Sequence, residues 1–157
     1  MLYTVLMKVF VTRRIPQRGL DILRSKDYIV TVSPHDRVLT KEELIGFLKQ
    51  GHYDAVLCLL TDSIDAGVLD AAKAAGVKIF ANYAVGFDNI DVKAAAERGI
   101  MVTNTPEILT ETVAEHTFAL ILAIAHRIAE SDRFSRAGKY RGWAPELLLG
   151  TDVSHKT

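Results

Sequence analysis

Residues 65–103, DAGVLDAAKAAGVKIFANYAVGFDNIDVKAAAERGIMVT, decide the fold, because one grammar is written there twice. A helix-compatible run from about Asp65 to Ala75 stops at Gly76, and the apolar strand Val77 to Ala81 follows. A second run from about Val92 to Arg98 stops at Gly99, and Ile100 to Thr103 follows. Glycine just past a helix adopts the left-handed conformation that other residues resist, so each join is a short helix-to-strand turn. Such units in series give a parallel sheet with helices on both faces.

Toward the N-terminus the alternation continues. Lys8 to Thr12 reads as a strand, and Pro16 can open a helix that runs to about Ser25. Tyr28 to Val32 is a β-branched strand. Thr40 and Glu43 have capping-box spacing, so a helix starts there and ends near Gln50, with Gly51 free to take the left-handed position. Ala55 to Leu60 is apolar on both faces, as a central parallel strand is. The expectation is an α/β, doubly wound sheet of about five strands over Lys8 to Asn104. Ligands of such sheets lie outside the carboxyl ends of the strands.

Beyond Asn104 the pattern changes. From Thr110 to about Ala137 no strong breaker interrupts a helix, which would be ~40 Å long at the α-helical rise. Thr112 with Glu115, or else Thr110, would cap it. Phe118 to Ala125 is apolar all round, so this helix needs cover that a five-stranded domain supplies on one side only. A second domain or subunit is the expected cover. After Gly138, the segment Tyr140 to Leu149 holds the only tryptophan, Trp143, and looks like an arm that packs outside its own core.

Composition narrows the function classes. The 157 residues carry 19 Lys+Arg against 19 Asp+Glu, 49% apolar and 24% charged residues, values of ordinary globular domains. This excludes a disordered chain and argues against a general nucleic-acid binder, which needs a basic excess. A single cysteine, Cys58, excludes an internal disulfide framework and a multi-cysteine metal site, and its apolar run marks it as a buried small hydrophobe. His35, His52, His126 and His155 lack metal-ligand spacing, so no metal is expected. No stretch approaches the ~20 apolar residues of a membrane span. Met1 to Met7 is apolar but lacks a basic start and a small-residue cleavage site, so the expectation is a cytoplasmic protein whose structured part starts near Met7.

Three loops could carry chemistry. In Asn82 to Asp91, Gly86 lets the backbone approach a ligand, and the turn leaves the Val85 and Gly86 N–H groups free for an anion such as a carboxylate. The bland alternative is an ordinary turn capped by Asp88 and Asn89. Leu60-Thr61-Asp62-Ser63 leaves the third strand at the same edge, and locally reads as a helix cap. Thr103 to Thr110 leaves the fifth strand. Glu115 is explained by capping and the helix dipole, and His116 reads as a packed or hydrogen-bonded residue rather than an acid or base. The basic residues between Arg127 and Arg141 read as a solvated face. No G-x-G-x-x-G, Walker-type loop or hydrolase motif is present.

The blocks Tyr83-Ala84-Val85-Gly86-Phe87-Asp88-Asn89-Ile90-Asp91, Arg98-Gly99-Ile100, Val102 to Pro106, Val113 to Leu120, and Gly142-Trp143 to Gly150 resemble the D-isomer-specific 2-hydroxyacid dehydrogenases, above all the glyoxylate/hydroxypyruvate reductases. The resemblance runs from about Met7 to Thr157. It implies a flavodoxin-like substrate-binding domain over 7–107, followed over 108–157 by an interdomain helix and dimerisation arm that begin a dinucleotide-binding domain otherwise absent. By the same resemblance, Leu60, Val85, Gly86 and Trp143 would bind the substrate, and Val85, Thr110 and Val113 would lie near the nicotinamide of NAD or NADP. The family's catalytic Arg, Glu and His match positions beyond Thr157, so no catalytic residue is assigned, and these residues alone are expected to be inactive. The implied activity is reduction of a 2-keto acid such as glyoxylate or hydroxypyruvate by a homodimer that binds neither nucleic acid nor membrane. A phosphoglycerate dehydrogenase and a non-catalytic binding or dimerisation module remain the alternatives.

Overall fold

A computed structural model describes residues 6–156, so most of the apolar start at Met1 to Met7 lies outside the described residues. The strands β1 (Lys8–Val11), β2 (Ile29–Val32), β3 (Ala55–Leu59), β4 (Ile79–Tyr83) and β5 (Met101–Thr103) form one parallel sheet in the order β2-β1-β3-β4-β5. The order reverses between β1 and β3, which is the flavodoxin-like arrangement. The chain divides into two compact units at the Glu107–Ile108 junction.

The first unit holds the sheet and the helices α1 (Gln17–Arg24), α2 (Lys41–Gly51), α3 (Ala66–Ala75) and α4 (Val92–Glu97). Strand side chains alternate between faces, and the two faces are covered unequally. Phe10, Val56, Cys58 and Phe80 are fully buried against Leu44, Leu48, Val68, Leu69, Ala94 and Ala95 of α2, α3 and α4. The opposite face packs on Ile15 and Leu20 around α1, and leaves Leu57 and Leu59 half-buried. Phe10 stacks on both Phe47 and Tyr53 with ring centroids 5.1 Å apart. Each such pair adds about 0.5–1.5 kcal/mol beyond its buried area.

Local chemistry explains the joins. Thr40 caps α2 by accepting from the Glu43 N–H, and the Glu43 carboxylate accepts from the Thr40 N–H, so the capping box forms as its spacing requires. Gly76 (φ 92°) and Gly99 (φ 66°) take the left-handed conformation between helix and strand. At α2, however, His52 and not Gly51 is left-handed. Gly51 stays helical, and a Cβ there would stand 2.0 Å from the Tyr53 ring, so this glycine serves close packing. Pro16 sits at the N-cap of α1 rather than inside its first turn. β4 and β5 start later than their apolar runs suggest, and β4 continues through Asn82 to Tyr83, which draws two polar-edge residues into the strand.

The second unit corrects the single long helix. α5 (Thr110–Ala125) and α6 (Ile128–Arg136) are separated by His126 and by Arg127 in the left-handed conformation (φ 53°). The returning arm causes the break. Thr151 N–H donates to the Ala125 carbonyl at 2.7 Å, so that carbonyl finds its partner outside the helix. Arg127 is held by the Glu130 carboxylate at 2.8 Å and donates to the Leu149 carbonyl at 3.2 Å. Gly150 crosses so near that a Cβ would lie 2.6 Å from the Ala125 oxygen. Neither proposed cap forms at the other end: Leu109 is the N-cap and makes no side-chain bond, while Thr110 is already helical. No residue of α5 is buried.

Candidate functional site

The carboxyl edge of the sheet is stitched by short polar side chains. Where the strand order reverses, Thr12 Oγ1 donates to the Asp62 carboxylate, which also accepts from the Leu59 N–H at 2.8 Å. Thr12 and Asp62 are both buried. Asp62 therefore fastens its loop to β1 and β3, and α3 is capped instead by Asp65, which accepts from the Val68 N–H at 3.0 Å.

Asn89 joins this loop to the next. Its Nδ2 donates to the carbonyls of Leu59 (3.1 Å) and Asp62 (3.0 Å), and its Oδ1 accepts from Asn82 Nδ2 at 2.9 Å. Asn82, buried at the end of β4, also donates to the Gly86 carbonyl at 2.9 Å. A bridge between Ile64 and Ile90 closes the same seam, with Ile64 N–H donating to Asn89 and Asp91 N–H donating to Ile64. Asn89 is thus a tie rather than a cap, and Asp91 caps α4 through the Ala94 N–H. The third loop is bound to the second: Thr105 N–H donates to the Ala84 carbonyl at 2.8 Å, and Asn104 Nδ2 donates to the Val85 carbonyl at 2.7 Å.

Within this frame the N–H groups of Val85 and Gly86 meet no acceptor among the described residues, and both residues are exposed. Gly86 is outside the left-handed region, so its backbone conformation does not itself demand glycine. A Cβ at Gly86 would meet only the Asp88 carboxylate, at 3.8 Å. What the glycine keeps open is space in front of the main chain. Leu60, Tyr83, Val85 and Phe87 form an exposed apolar rim on the same edge, with Leu60 64% accessible. The arrangement offers unpaired donors beside apolar surface, which suits a small organic anion.

Cys58 lies beneath, with its Sγ 3.5 Å from Asn82 Oδ1. Burial first, and the Asp62 charge second, push its thiol up to about 12. It is a packed hydrophobe, not a nucleophile. Among the described residues no group of three His, Cys, Asp or Glu side chains could hold a metal ion, and no helix is long and apolar enough to cross a membrane.

The remaining sequence candidates lie in the second unit. Thr110 and Val113 are exposed, three residues apart, on one face of the first turn of α5. Trp143 is 82% accessible and lines a hollow with Phe134, Tyr140 and Leu147. The His116 side chain is exposed and makes no hydrogen bond among the described residues, so neither the packed nor the bonded role is seen for it there. Sequence reasoning missed Thr12, Asn82, Asn89 and Asn104 as site-forming residues. Their partners lie up to 50 positions away, and no local spacing signals such ties.

Comparison with known proteins places these features in a family. The sequence model described as D-isomer specific 2-hydroxyacid dehydrogenase, catalytic domain, matches residues 9–145. A glyoxylate reductase of Thermococcus kodakarensis is 43% identical over 154 residues, covering 96% of this chain and 45% of the relative. The crystal structure of the TT0316 protein of Thermus thermophilus superposes with a TM-score of 0.83 at 44% identity, over 93% of this chain and 45% of that one. A structure from Polaromonas sp. JS6 66, described as an NAD-binding D-isomer specific 2-hydroxyacid dehydrogenase, gives a TM-score of 0.85 at 31% identity, over 96% of this chain and 46% of that one. The chain spans a little under half the length of these relatives.

Proposed function

Because the chain belongs to the D-isomer specific 2-hydroxyacid dehydrogenase family, we propose that the protein it represents reduces a 2-keto acid such as glyoxylate or hydroxypyruvate to the D-2-hydroxy acid, with NADH or NADPH as reductant. Residues 7–107 are its substrate-binding part, and 108–157 its interdomain helix and dimerisation arm. The observation that carries the reading is the pair of unengaged N–H groups at Val85 and Gly86 on the carboxyl edge. They hold the substrate carboxylate, while Leu60 borders the carbon chain.

The nicotinamide supplies the hydride. By the family resemblance, Val85 and, on the second unit, Thr110 and Val113 are the residues that would lie near its ring, and the side chain of each is exposed, Val113 being 58% accessible. No glycine-rich phosphate loop occurs in the 157 residues, so they contribute to the nicotinamide end only. Orientation is the contribution of this part. A carboxylate held by two main-chain donors keeps the adjacent carbonyl carbon close to one place on the carboxyl edge. Trp143, exposed on the arm, extends to the substrate pocket of a second subunit.

The reading is tested by NADH and NADPH oxidation with glyoxylate, hydroxypyruvate and phosphohydroxypyruvate, using the whole gene product. Turnover with either of the first two keto acids is expected. No turnover with any of them overturns it, and a preference for the phosphorylated substrate moves the assignment to a phosphoglycerate dehydrogenase. The 157 residues alone are expected to bind a keto acid without reducing it.

A further inference from the structure

The donors at Val85 and Gly86 face a direction that the rest of the fold imposes. All peptide bonds in the described residues are trans, so each carbonyl and the following N–H point opposite ways across one rigid plane. Fixing the Ala84 carbonyl therefore fixes the Val85 N–H, and fixing the Val85 carbonyl fixes the Gly86 N–H. The two carbonyls are held differently. Ala84 accepts from the Thr105 main chain at 2.8 Å, a bond that no side-chain substitution removes. Val85 accepts from a side chain, Asn104 Nδ2, at 2.7 Å. The plane between Val85 and Gly86 is thus set by the choice of residue at position 104.

On this basis we infer that Asn104 is a positioning residue of the anion site: its amide donor orients the Gly86 N–H toward the substrate carboxylate without touching the substrate. The inference rests on the carboxylate reading of Val85 and Gly86 given above. The residue type fits the task. An Asn amide is short enough to hold a neighbouring carbonyl and carries donors on one end. Aspartate has the same shape but only acceptors when ionised, and it would repel the Val85 oxygen. Alanine leaves that carbonyl free to turn. The adjoining carbonyl of Gly86 stays anchored by the buried Asn82, so release at position 104 reorients one plane and spares the turn.

Residual dipolar couplings and an oxamate titration of the 15N-labelled 157-residue chain test this. In the wild-type chain, oxamate is expected to move the Val85 and Gly86 amide resonances. In Asn104→Ala and Asn104→Asp, the Gly86 N–H coupling departs from the wild-type orientation while couplings of the strands fit one common alignment. Oxamate affinity falls at least tenfold in both, and Asn104→Gln, which keeps a donor, recovers part of the loss. An unchanged Gly86 orientation in Ala and Asp variants, or oxamate affinity within twofold of wild type, overturns the inference. If oxamate moves neither amide in the wild-type chain while the Gly86 vector still turns in the variants, the carboxylate reading falls and the control of this peptide plane by Asn104 stands.

Discussion

Asn89 spends every hydrogen-bonding group of its side chain inside the fold: two Nδ2 bonds to carbonyls of the β3 loop, and an exchange with Asn82. Removing it deprives the Asp62 carbonyl of its Nδ2 donor and takes one bond each from the Leu59 carbonyl, which keeps the Asp62 N–H, and from the buried Asn82 amide, which keeps the Gly86 carbonyl, a cost of about 1–3 kcal/mol in such settings. Asn89→Ala should lower unfolding stability by that amount in urea titrations, and an unchanged midpoint would show the tie to be idle. Gly86 behaves in the opposite way. Its backbone conformation is open to other residues, and a Cβ meets nothing nearer than 3.8 Å. Gly86→Ala should leave stability equal or raise it by about 0.4–1 kcal/mol. It should still weaken oxamate binding, since the methyl occupies the approach to the main chain. A large loss of stability would mean that the glycine serves the fold instead. The contrast explains what the sequence discloses at this scale. A glycine in a strand-to-helix turn announces an exposed backbone by itself. The Asn82–Asn89 pair looks like two capping residues until the distant loop they tie is known.

Among the elements, α2 is the one whose start the sequence dictates most fully. Its capping box gains an ion pair, with Arg37 Nη2 2.6 Å from Glu43 Oε1. The Arg37 bond, then the Thr40 N–H, hold the Glu43 carboxyl at about 2, down from 4.5. A carboxylate held low stabilises the fold above its unfolded value, and that contribution disappears as pH falls toward the folded value. The Glu43 share of stability should therefore be complete above about pH 4.5 and gone near pH 2. Thermal unfolding of wild type and Glu43→Gln should converge across that window, and parallel curves would contradict the assignment. Thr40→Ala should cost about 1 kcal/mol at neutral pH. The α5–α6 break was illegible for the reverse reason. Residues 110–137 contain no proline and no internal glycine, and the turn at Arg127 is imposed by the arm at Leu149 to Thr151. Local propensity carries no trace of a partner more than 20 positions away.

Across the molecule, the two units differ in how completely they bury themselves. The first encloses its apolar residues between sheet and helices. The second exposes Phe118, Leu120, Ile121, Leu122 and Ile124 on one helix, with Ile124 78% accessible. Contiguous apolar surface of this kind marks an association face. The chain should sediment as a dimer or larger species at micromolar concentration, and Phe118→Glu with Leu122→Glu should return it to monomer. A monomer in the wild type would oppose the proposed pairing. That α5 needs cover was legible from its uniform apolarity, and the doubly wound sheet from its helix–glycine–strand grammar.

The seam formed by Asn89, the Ile64–Ile90 bridge and the Asn104 and Thr105 bonds has one more implication. Because these links lie wholly within the first unit, the landing place proposed for the acid would be shaped before the acid arrives. Little binding energy is then consumed in ordering mobile chain, and more of it remains to hold the acid at a fixed angle.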